Sequence, residues 1–161
     1  MGRISAYLEK GLNAAVVLLA VVFGVLVLFQ VVARYALGIS IFAAAAISNY
    51  VFIWFAMLGA ALAMKEGLHV AVDVVPWLFP KSWQPTAKAA AHVLSLAFAC
   101  VLVYASISAL PAAQRNVNPA LGISVAWGIA AIPVGAVLVA YFAVDALLNG
   151  IRGMHGGRAP S

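Results

Sequence analysis

Between Lys10 and Arg34 the chain reads GLNAAVVLLAVVFGVLVLFQVVA, a run of 23 residues without a formal charge. A helix needs about 20 apolar residues to cross the roughly 30 Å of hydrocarbon in a bilayer, because each residue adds about 1.5 Å. Uncharged runs of 30, 26 and 29 residues follow, over 35–64, 89–114 and 116–144. The sequence therefore predicts an all-α membrane protein, a single membrane domain over 1–161 with four transmembrane helices. We expect these helices at about 12–33, 42–64, 87–110 and 123–148.

The composition agrees with a protein that has lipid as its solvent. Of the 161 residues, 66% are hydrophobic and 8% are charged, whereas soluble domains carry about 25% charged residues. The continuous apolar runs exclude a transmembrane barrel, whose strands alternate apolar and polar residues. The single cysteine, Cys100, excludes an internal disulfide, and no Cys/His cluster has the spacing of a zinc site. The nine basic residues are scattered singly, so we expect no nucleic acid partner.

The basic residues predict the orientation. Arg34 and Arg115 lie on one side of the four predicted helices, and the other seven basic residues lie on the opposite side. These seven are Arg3, Lys10, Lys65, Lys81, Lys88, Arg152 and Arg158. Because basic residues concentrate in the cytoplasmic loops of membrane proteins, we expect both termini in the cytoplasm. The first helix is too long for the apolar core of a signal peptide, so we expect it to be retained.

The connection between the second and third helices, at about 66–85, predicts structure of its own. Its part over 67–80 is too apolar for a free loop, yet it contains two prolines and is too short to span the membrane. Its aromatic residues are Trp77, Phe79 and Trp83. We therefore expect an interfacial amphipathic segment anchored in the membrane surface. His69 and Asp73 are four residues apart, so on a helix they would face the same side and could form a hydrogen bond or ion pair.

Few side chains in the predicted helices can carry chemistry. The ionisable ones are His92 and Asp145, both near a helix end, where an interfacial or packing role competes with a place in a proton relay. Gln30 and Asn49 are expected to hydrogen-bond between helices, because an unpaired amide in hydrocarbon is costly. The serines have no base at usable spacing, and one histidine cannot supply both axial ligands of a transmembrane haem. The sequence therefore predicts no catalytic set, no cofactor and no metal site.

Small residues at helical spacing mark places where two helices can approach closely. They occur at Gly59 and Ala63, and at Gly128, Ala131 and Gly135. Such residues can pack within this chain or against another subunit. Pro133 removes one backbone donor and disturbs the carbonyl of Ile129, so we expect it to bend the fourth helix.

Five stretches of the sequence resemble one known family. They are VVARY at 31–35, FIW at 52–54, LGAALA at 58–63, KEGLHVAVD at 65–73 and AWGIAAIPVG at 126–135. With these stretches the chain resembles, over essentially its whole length, the small membrane subunit of tripartite ATP-independent periplasmic (TRAP) transporters, the DctQ type. Members often carry a Glu-Glu pair where the second helix begins, and this chain has Ala45 and Ala46 there.

The resemblance implies a complex in the bacterial inner membrane. Its partners would be a large permease subunit, a soluble periplasmic substrate-binding protein and membrane lipids. It also implies sodium-driven uptake of an organic acid, with the sodium and substrate sites in the large subunit. The scarcity of polar groups in the four spans agrees, since a transport site needs polar groups or broken helices near the midplane. We therefore expect a scaffold, a lipid-facing bundle that braces the large subunit. The candidate partner contacts are Arg34, Tyr35, Trp54, Gly59, Ala63, Gly67, His69, Asp73, Pro133 and Gly135.

Three other functions stay open on the residues alone. A haem- or quinone-associated membrane anchor would need a second deep histidine. A self-sufficient small transporter or channel would transport without another subunit, which the polar-poor spans argue against. A membrane-embedded enzyme would need a catalytic set, and the sequence contains none that we can identify.

Overall fold

A computed structural model describes residues 2–66, 80 and 83–155, and side chains are described over 8–66, 80, 83–84, 86–87 and 89–148. The helices are α1 Gly2–Ala36, α2 Phe42–Glu66, α3 Gln84–Arg115, α4 Ala126–Ile129 and α5 Ala131–His155. Four stretches are long and apolar enough to cross a membrane, namely Leu8–Ala36, Phe42–Glu66, Ala89–Arg115 and Ala126–Leu148. The predicted all-α membrane protein with four transmembrane helices is therefore confirmed. Most of the predicted interfacial segment, including Gly67, His69 and Asp73, lies outside the described residues, and of its three aromatic residues only Trp83 is described, with an exposed side chain.

The up-and-down course of the chain gives the molecule two ends. At the Arg34 end, α1 stops, α2 begins, α3 stops and α4 begins. At the Lys65 end, α1 begins, α2 stops, α3 begins and α5 stops. The Arg34 end and the Lys65 end are thus the two ends of the membrane-spanning part.

The helices are arranged in the order α1, α2, α5, α3. The helix α2 packs against both α1 and α5, and α5 packs against both α2 and α3. Within the described ranges, no Cα atom of α1 lies within 8 Å of one in α3 or α5, and none of α2 lies that close to α3. In the described residues, the four spans therefore form an open layer in which each helix packs against its neighbours in this order. Its two faces and both edge helices, α1 and α3, are left for lipid or another subunit.

The core of this layer is small and made mainly of alanine. The buried apolar residues are Leu12, Ala33, Ala44, Ala46, Ala61, Met64, Ala99, Ala113, Ala131, Ala136, Phe142 and Ala143. Many large apolar side chains are exposed instead, for example Leu28 on α1 and Leu94 on α3 at 65% and 70%. In lipid there is little hydrophobic drive between helices, so small residues that permit close van der Waals packing form the interior.

Pro111 and Pro133 affect their helices differently. The fourth span is interrupted at Ala130, between α4 and α5, three residues before Pro133. Pro133 has no N–H to bond to the carbonyl of Ile129, so the regular ladder fails at this level. The third helix was expected to end near Leu110, but α3 continues through Pro111 to Arg115. A helix can contain proline in its last turns because only one intrahelical bond is lost there.

Candidate functional site

The helix α5 meets the backbone of α2 at Gly135. A Cβ atom placed on Gly135 would lie 2.6 Å from Met57 Cβ and 2.9 Å from the Met57 carbonyl oxygen. Carbon atoms in favourable van der Waals contact are about 3.5–4.0 Å apart. Only glycine therefore lets α5 approach α2 this closely.

A second close approach lies nearer the Arg34 end, where Gly128 of α4 packs under an aromatic ring of α2. A Cβ atom on Gly128 would lie 2.7 Å and 2.9 Å from the Cδ1 and Cε1 atoms of Tyr50. Here the obstacle is a side chain, whereas at Gly135 it includes backbone atoms of Met57. We call the contact of α2 with the fourth span, α4 together with α5, the α2–α5 seam. The two glycines hold this seam together by different contacts.

A tryptophan side chain joins the same two elements. Trp54 Nε1 of α2 donates a hydrogen bond to the carbonyl oxygen of Trp127 in α4 at 3.1 Å. Because the helix is interrupted at Ala130, carbonyl groups of α4 lie where the regular intrahelical ladder ends. The predicted partner-contact candidate Trp54 therefore has a partner within this chain.

The seam between α1 and α2 contains a polar contact near the Arg34 end. Gln30 Nε2 donates hydrogen bonds to Ser48 Oγ at 2.6 Å and to the Leu26 carbonyl oxygen at 3.0 Å. The hydroxyl of Ser48 donates in turn to the Ala44 carbonyl oxygen at 2.9 Å. The prediction that Gln30 bonds between helices is confirmed.

Asn49 behaves differently from Gln30. Its side chain is exposed, and it forms no hydrogen bond within the described part of the chain. The expectation of an interhelical bond from Asn49 is therefore wrong for the contacts inside this chain. The neighbouring position Ser48 is the one that faces α1, and one residue further along a helix turns a side chain by about 100°.

Asn49 belongs to a strip of α2 that the described chain covers only in part. The strip consists of Ala45, Asn49 and Ala56, which are exposed, and Gly59 and Ala63, which are half-buried. They lie on one side of a helix with 3.6 residues per turn, and Phe52 on the same side stacks on Phe23 of α1. A Cβ atom placed on Gly59 would have no described atom within 4 Å. We call these five residues the open strip of α2. The spacing of Gly59 and Ala63 predicts a site of close packing. The described chain places no atom against the Cβ position of Gly59, so any such packing there would be against another subunit.

Arg34 and Tyr35 line a cavity at the end of α1. The cavity has a volume of about 430 Å³ and is also lined by Ser40, Phe42 and Ala45. Two residues after α1 ends, Gly38 has a φ of 67°, a left-handed conformation in which a Cβ would be strained. Of the two alanines at the family's usual glutamate positions, Ala45 lines this cavity, and Ala46 is buried at 8% exposure.

At the Lys65 end three helices are joined by a charged residue and an apolar cluster. Lys65 of α2 forms an ion pair with Glu9 of α1, and its ammonium group lies 5.9 Å from the ring centre of Phe142 in α5. Leu12 and Phe142 belong to the buried cluster beneath this contact. This cluster joins α1, α2 and α5 in one place.

In the described part of the spans, the predicted ionisable residues His92 and Asp145 do not belong to a metal-binding group. His92 and Asp145 are both partly buried, and each takes part in a polar or electrostatic interaction. Among the described residues, no group of three His, Cys, Asp or Glu side chains could hold a metal ion. The hydrogen bond between Gln30 and Ser48 joins α1 to α2, whereas Ser106 and Ser108 donate to carbonyl groups of their own helix.

The sequence-predicted candidates are therefore spread over the layer and do not converge on one centre. Arg34 and Tyr35 share the cavity at one end, whereas Trp54 and Gly135 serve the α2–α5 seam. Pro133 lies just after the interruption between α4 and α5. Sequence reasoning missed the Tyr50 to Gly128 contact and the Glu9 to Lys65 pair, since residues far apart in sequence give no local signal of pairing. The remaining candidates are Gly59 and Ala63 on the open strip, and Gly67, His69 and Asp73 outside the described residues.

Four apolar helices joined by small residues and a few interhelical hydrogen bonds define a multi-pass membrane protein. The family of tripartite ATP-independent periplasmic transporters, DctQ component, matches residues 23–153, and the chain belongs to that family. Two proteins of Haemophilus influenzae named as TRAP transporter small permease proteins are similar to it. One is 26% identical over 151 residues, which cover 94% of each chain. The other is 25% identical over 122 residues, covering 76% of this chain and 74% of the relative. The chain is thus a small permease subunit of a TRAP transporter.

Proposed function

We propose that this subunit acts as a scaffold for the large permease subunit of its transporter. In this proposal the complex takes up an organic acid that a periplasmic binding protein delivers, and the sodium gradient drives the uptake. The observation that carries the scaffold role is the open strip of α2, where a Cβ atom placed on Gly59 would have no described atom within 4 Å. Family membership supports the same partners, since the family is one of tripartite transporters.

The open strip has the properties that a membrane helix needs to bind another helix. Ala56, Gly59 and Ala63 are small, so a neighbouring backbone can approach this part of the strip closely, beyond the ring of Phe52 that stacks on Phe23. Asn49 adds an amide without a hydrogen bond in the described chain. An amide facing hydrocarbon is costly unless it finds a partner. A helix of the large subunit on this strip would satisfy the amide and use the close packing that the small residues allow.

The internal polar groups of the chain argue against a substrate site within it. Gln30 and Ser48 bond to each other, and Ser106 and Ser108 donate to carbonyl groups in their own helix. An organic acid would need cations or helix ends near the midplane, whereas Arg34 and Arg115 lie in the last turns of their helices. The sodium and substrate sites, and any specificity for the acid, therefore belong to the partners in this proposal, and the subunit has no catalytic activity.

The proposed setting is the bacterial inner membrane, with both termini and the Lys65 end in the cytoplasm. The seven basic residues on that side and two on the other support this orientation. The Arg34 end would then lie at the periplasmic surface, where the binding protein meets the complex.

The proposal is tested by copurification of the large subunit with a tagged small subunit. Gly59→Leu places a large side chain on the open strip without meeting any described atom at its Cβ position. We expect the isolated variant to fold normally and to retain several-fold less large subunit than the wild type. Gly24→Leu is the matched control, because Gly24 on α1 also has no atom within 4 Å of its Cβ position. Equal retention by the two variants would refute docking on the open strip.

A further inference from the structure

The cavity at the end of α1 is lined by three donor side chains that form no hydrogen bond within the described chain. Arg34, Tyr35 and Ser40 line this cavity of about 430 Å³. None of these three side chains has a hydrogen bond or ion pair within the described part of the chain. The residues that line this cavity thus carry the five donors of a guanidinium and two hydroxyl groups.

Among the described residues, no acidic side chain lies at the Arg34 end of the helices. Its four acidic residues are Glu9, Glu66, Asp73 and Asp145. Glu9, Glu66 and Asp145 lie near the Lys65 ends of their helices, and Asp73 belongs to the connection that joins the Lys65 ends of α2 and α3. An anion at Arg34 must therefore come from outside this subunit.

We propose that this cavity binds the phosphodiester head group of a membrane phospholipid. The guanidinium of Arg34 can hold a phosphate through two parallel hydrogen bonds, and the hydroxyl groups of Tyr35 and Ser40 donate to the remaining oxygens. The acyl chains lie along Val27 and Val31, which line the same cavity and are 38% and 47% exposed.

The surroundings favour a lipid over a carboxylate of another protein. A carboxylate has two oxygens and no apolar tail, whereas this site presents three donor side chains and continues into an apolar wall. Tyr35 and Phe42 project from the rim at 82% and 76% exposure, as aromatic side chains do at the depth of lipid head groups. One phospholipid molecule would occupy both parts of the site.

The test is native mass spectrometry of the full chain in detergent with added phosphatidylglycerol. Arg34→Gln is expected to weaken phosphatidylglycerol binding about tenfold or more, since charged hydrogen bonds are among the stronger ones. Arg115→Gln is the matched control, because Arg115 also lies in the last turn of a helix at the same end. It should change binding less than about twofold. Ser40→Ala, in the connection between α1 and α2, should weaken binding about threefold to tenfold, and it decides the matter if Arg34→Gln does not fold.

Two further ligands separate the parts of the phospholipid. Diacylglycerol has the acyl chains without the phosphate, and inorganic phosphate has the anion without the chains. Both should bind at least tenfold more weakly than phosphatidylglycerol. Equal losses in Arg34→Gln and Arg115→Gln, or binding of either half molecule as tight as that of phosphatidylglycerol, would overturn the proposal. So would an Arg34→Gln variant that keeps the lipid and loses the large subunit, since Arg34 would then bind a carboxylate of that partner.

Discussion

Gly135→Ala should destabilise the subunit because of one contact with the backbone of α2. The new methyl group would lie 2.6 Å from Met57 Cβ and 2.9 Å from the Met57 carbonyl oxygen. To restore a separation of about 3.5 Å, α5 must move away from α2 by about 1 Å. Overpacking of a close-packed interior typically costs about 1–3 kcal/mol. We expect a loss of this size in the free energy of unfolding.

The measurement is unfolding of the detergent-solubilised chain by increasing sodium dodecyl sulfate, followed by circular dichroism. Gly59→Ala is the matched control, because its methyl group meets no described atom within 4 Å. It should be neutral, or stabilising by up to about 1 kcal/mol from the higher helix propensity of alanine. The reasoning is refuted if Gly135→Ala unfolds like the wild type while Gly59→Ala is the destabilised variant.

A second substitution at the contacted residue distinguishes a clash with backbone atoms from a clash with a side chain. Met57→Ala should not rescue Gly135→Ala, because alanine keeps the Cβ and carbonyl atoms that the new methyl group meets. Tyr50→Leu should rescue much of the loss in Gly128→Ala, because that contact is with the aromatic ring. The double variants therefore separate a backbone contact from a side-chain contact. Rescue in both pairs, or in neither, would contradict the packing of the α2–α5 seam.

Three other predictions follow from the seams and the orientation. Gln30→Leu should lower the free energy of unfolding by about 0.6–2 kcal/mol through loss of the bond to Ser48, and an unchanged denaturation midpoint would contradict this. With Cys100 replaced by serine, Ser161→Cys should be protected from an impermeant thiol reagent in intact cells, whereas labelling from outside would overturn the orientation. Asp73→Asn should reduce the amount of large subunit that copurifies if the His69 to Asp73 pair contacts that partner, and unchanged yield and uptake would exclude such a contact.

The four spans could be predicted from the sequence because the bilayer imposes a length on each of them. Any uncharged run such as the one from Lys10 to Arg34 has few alternatives to a spanning helix. The order α1, α2, α5, α3 could not be predicted in this way, because lipid and neighbouring helices are equally apolar. Residue hydrophobicity therefore does not tell which side of a membrane helix packs against protein.

The glycines and amides show the same limit at single residues. Gly59 and Gly135 each lie four residues from an alanine, yet a Cβ atom on Gly135 would collide with Met57 and one on Gly59 would meet no described atom within 4 Å. Gln30 finds Ser48 across the α1–α2 seam, whereas Asn49 has no such bond. Sequence spacing identifies residues that can pack or bond closely, and tertiary structure decides which of them do so within the subunit. Those left over are the candidates for binding a partner.

The central claim, that this subunit holds a partner without touching the substrate, is tested by measuring assembly and uptake on one preparation. The complex containing Gly59→Leu would be purified, its content of large subunit determined, and uptake measured in proteoliposomes with the binding protein and a sodium gradient. We expect uptake to fall in proportion to the large subunit retained, with the apparent substrate affinity of the remaining complexes within about twofold of the wild type. Full assembly together with a shift of about tenfold or more in apparent substrate affinity would contradict the account and point to a transport site inside this subunit.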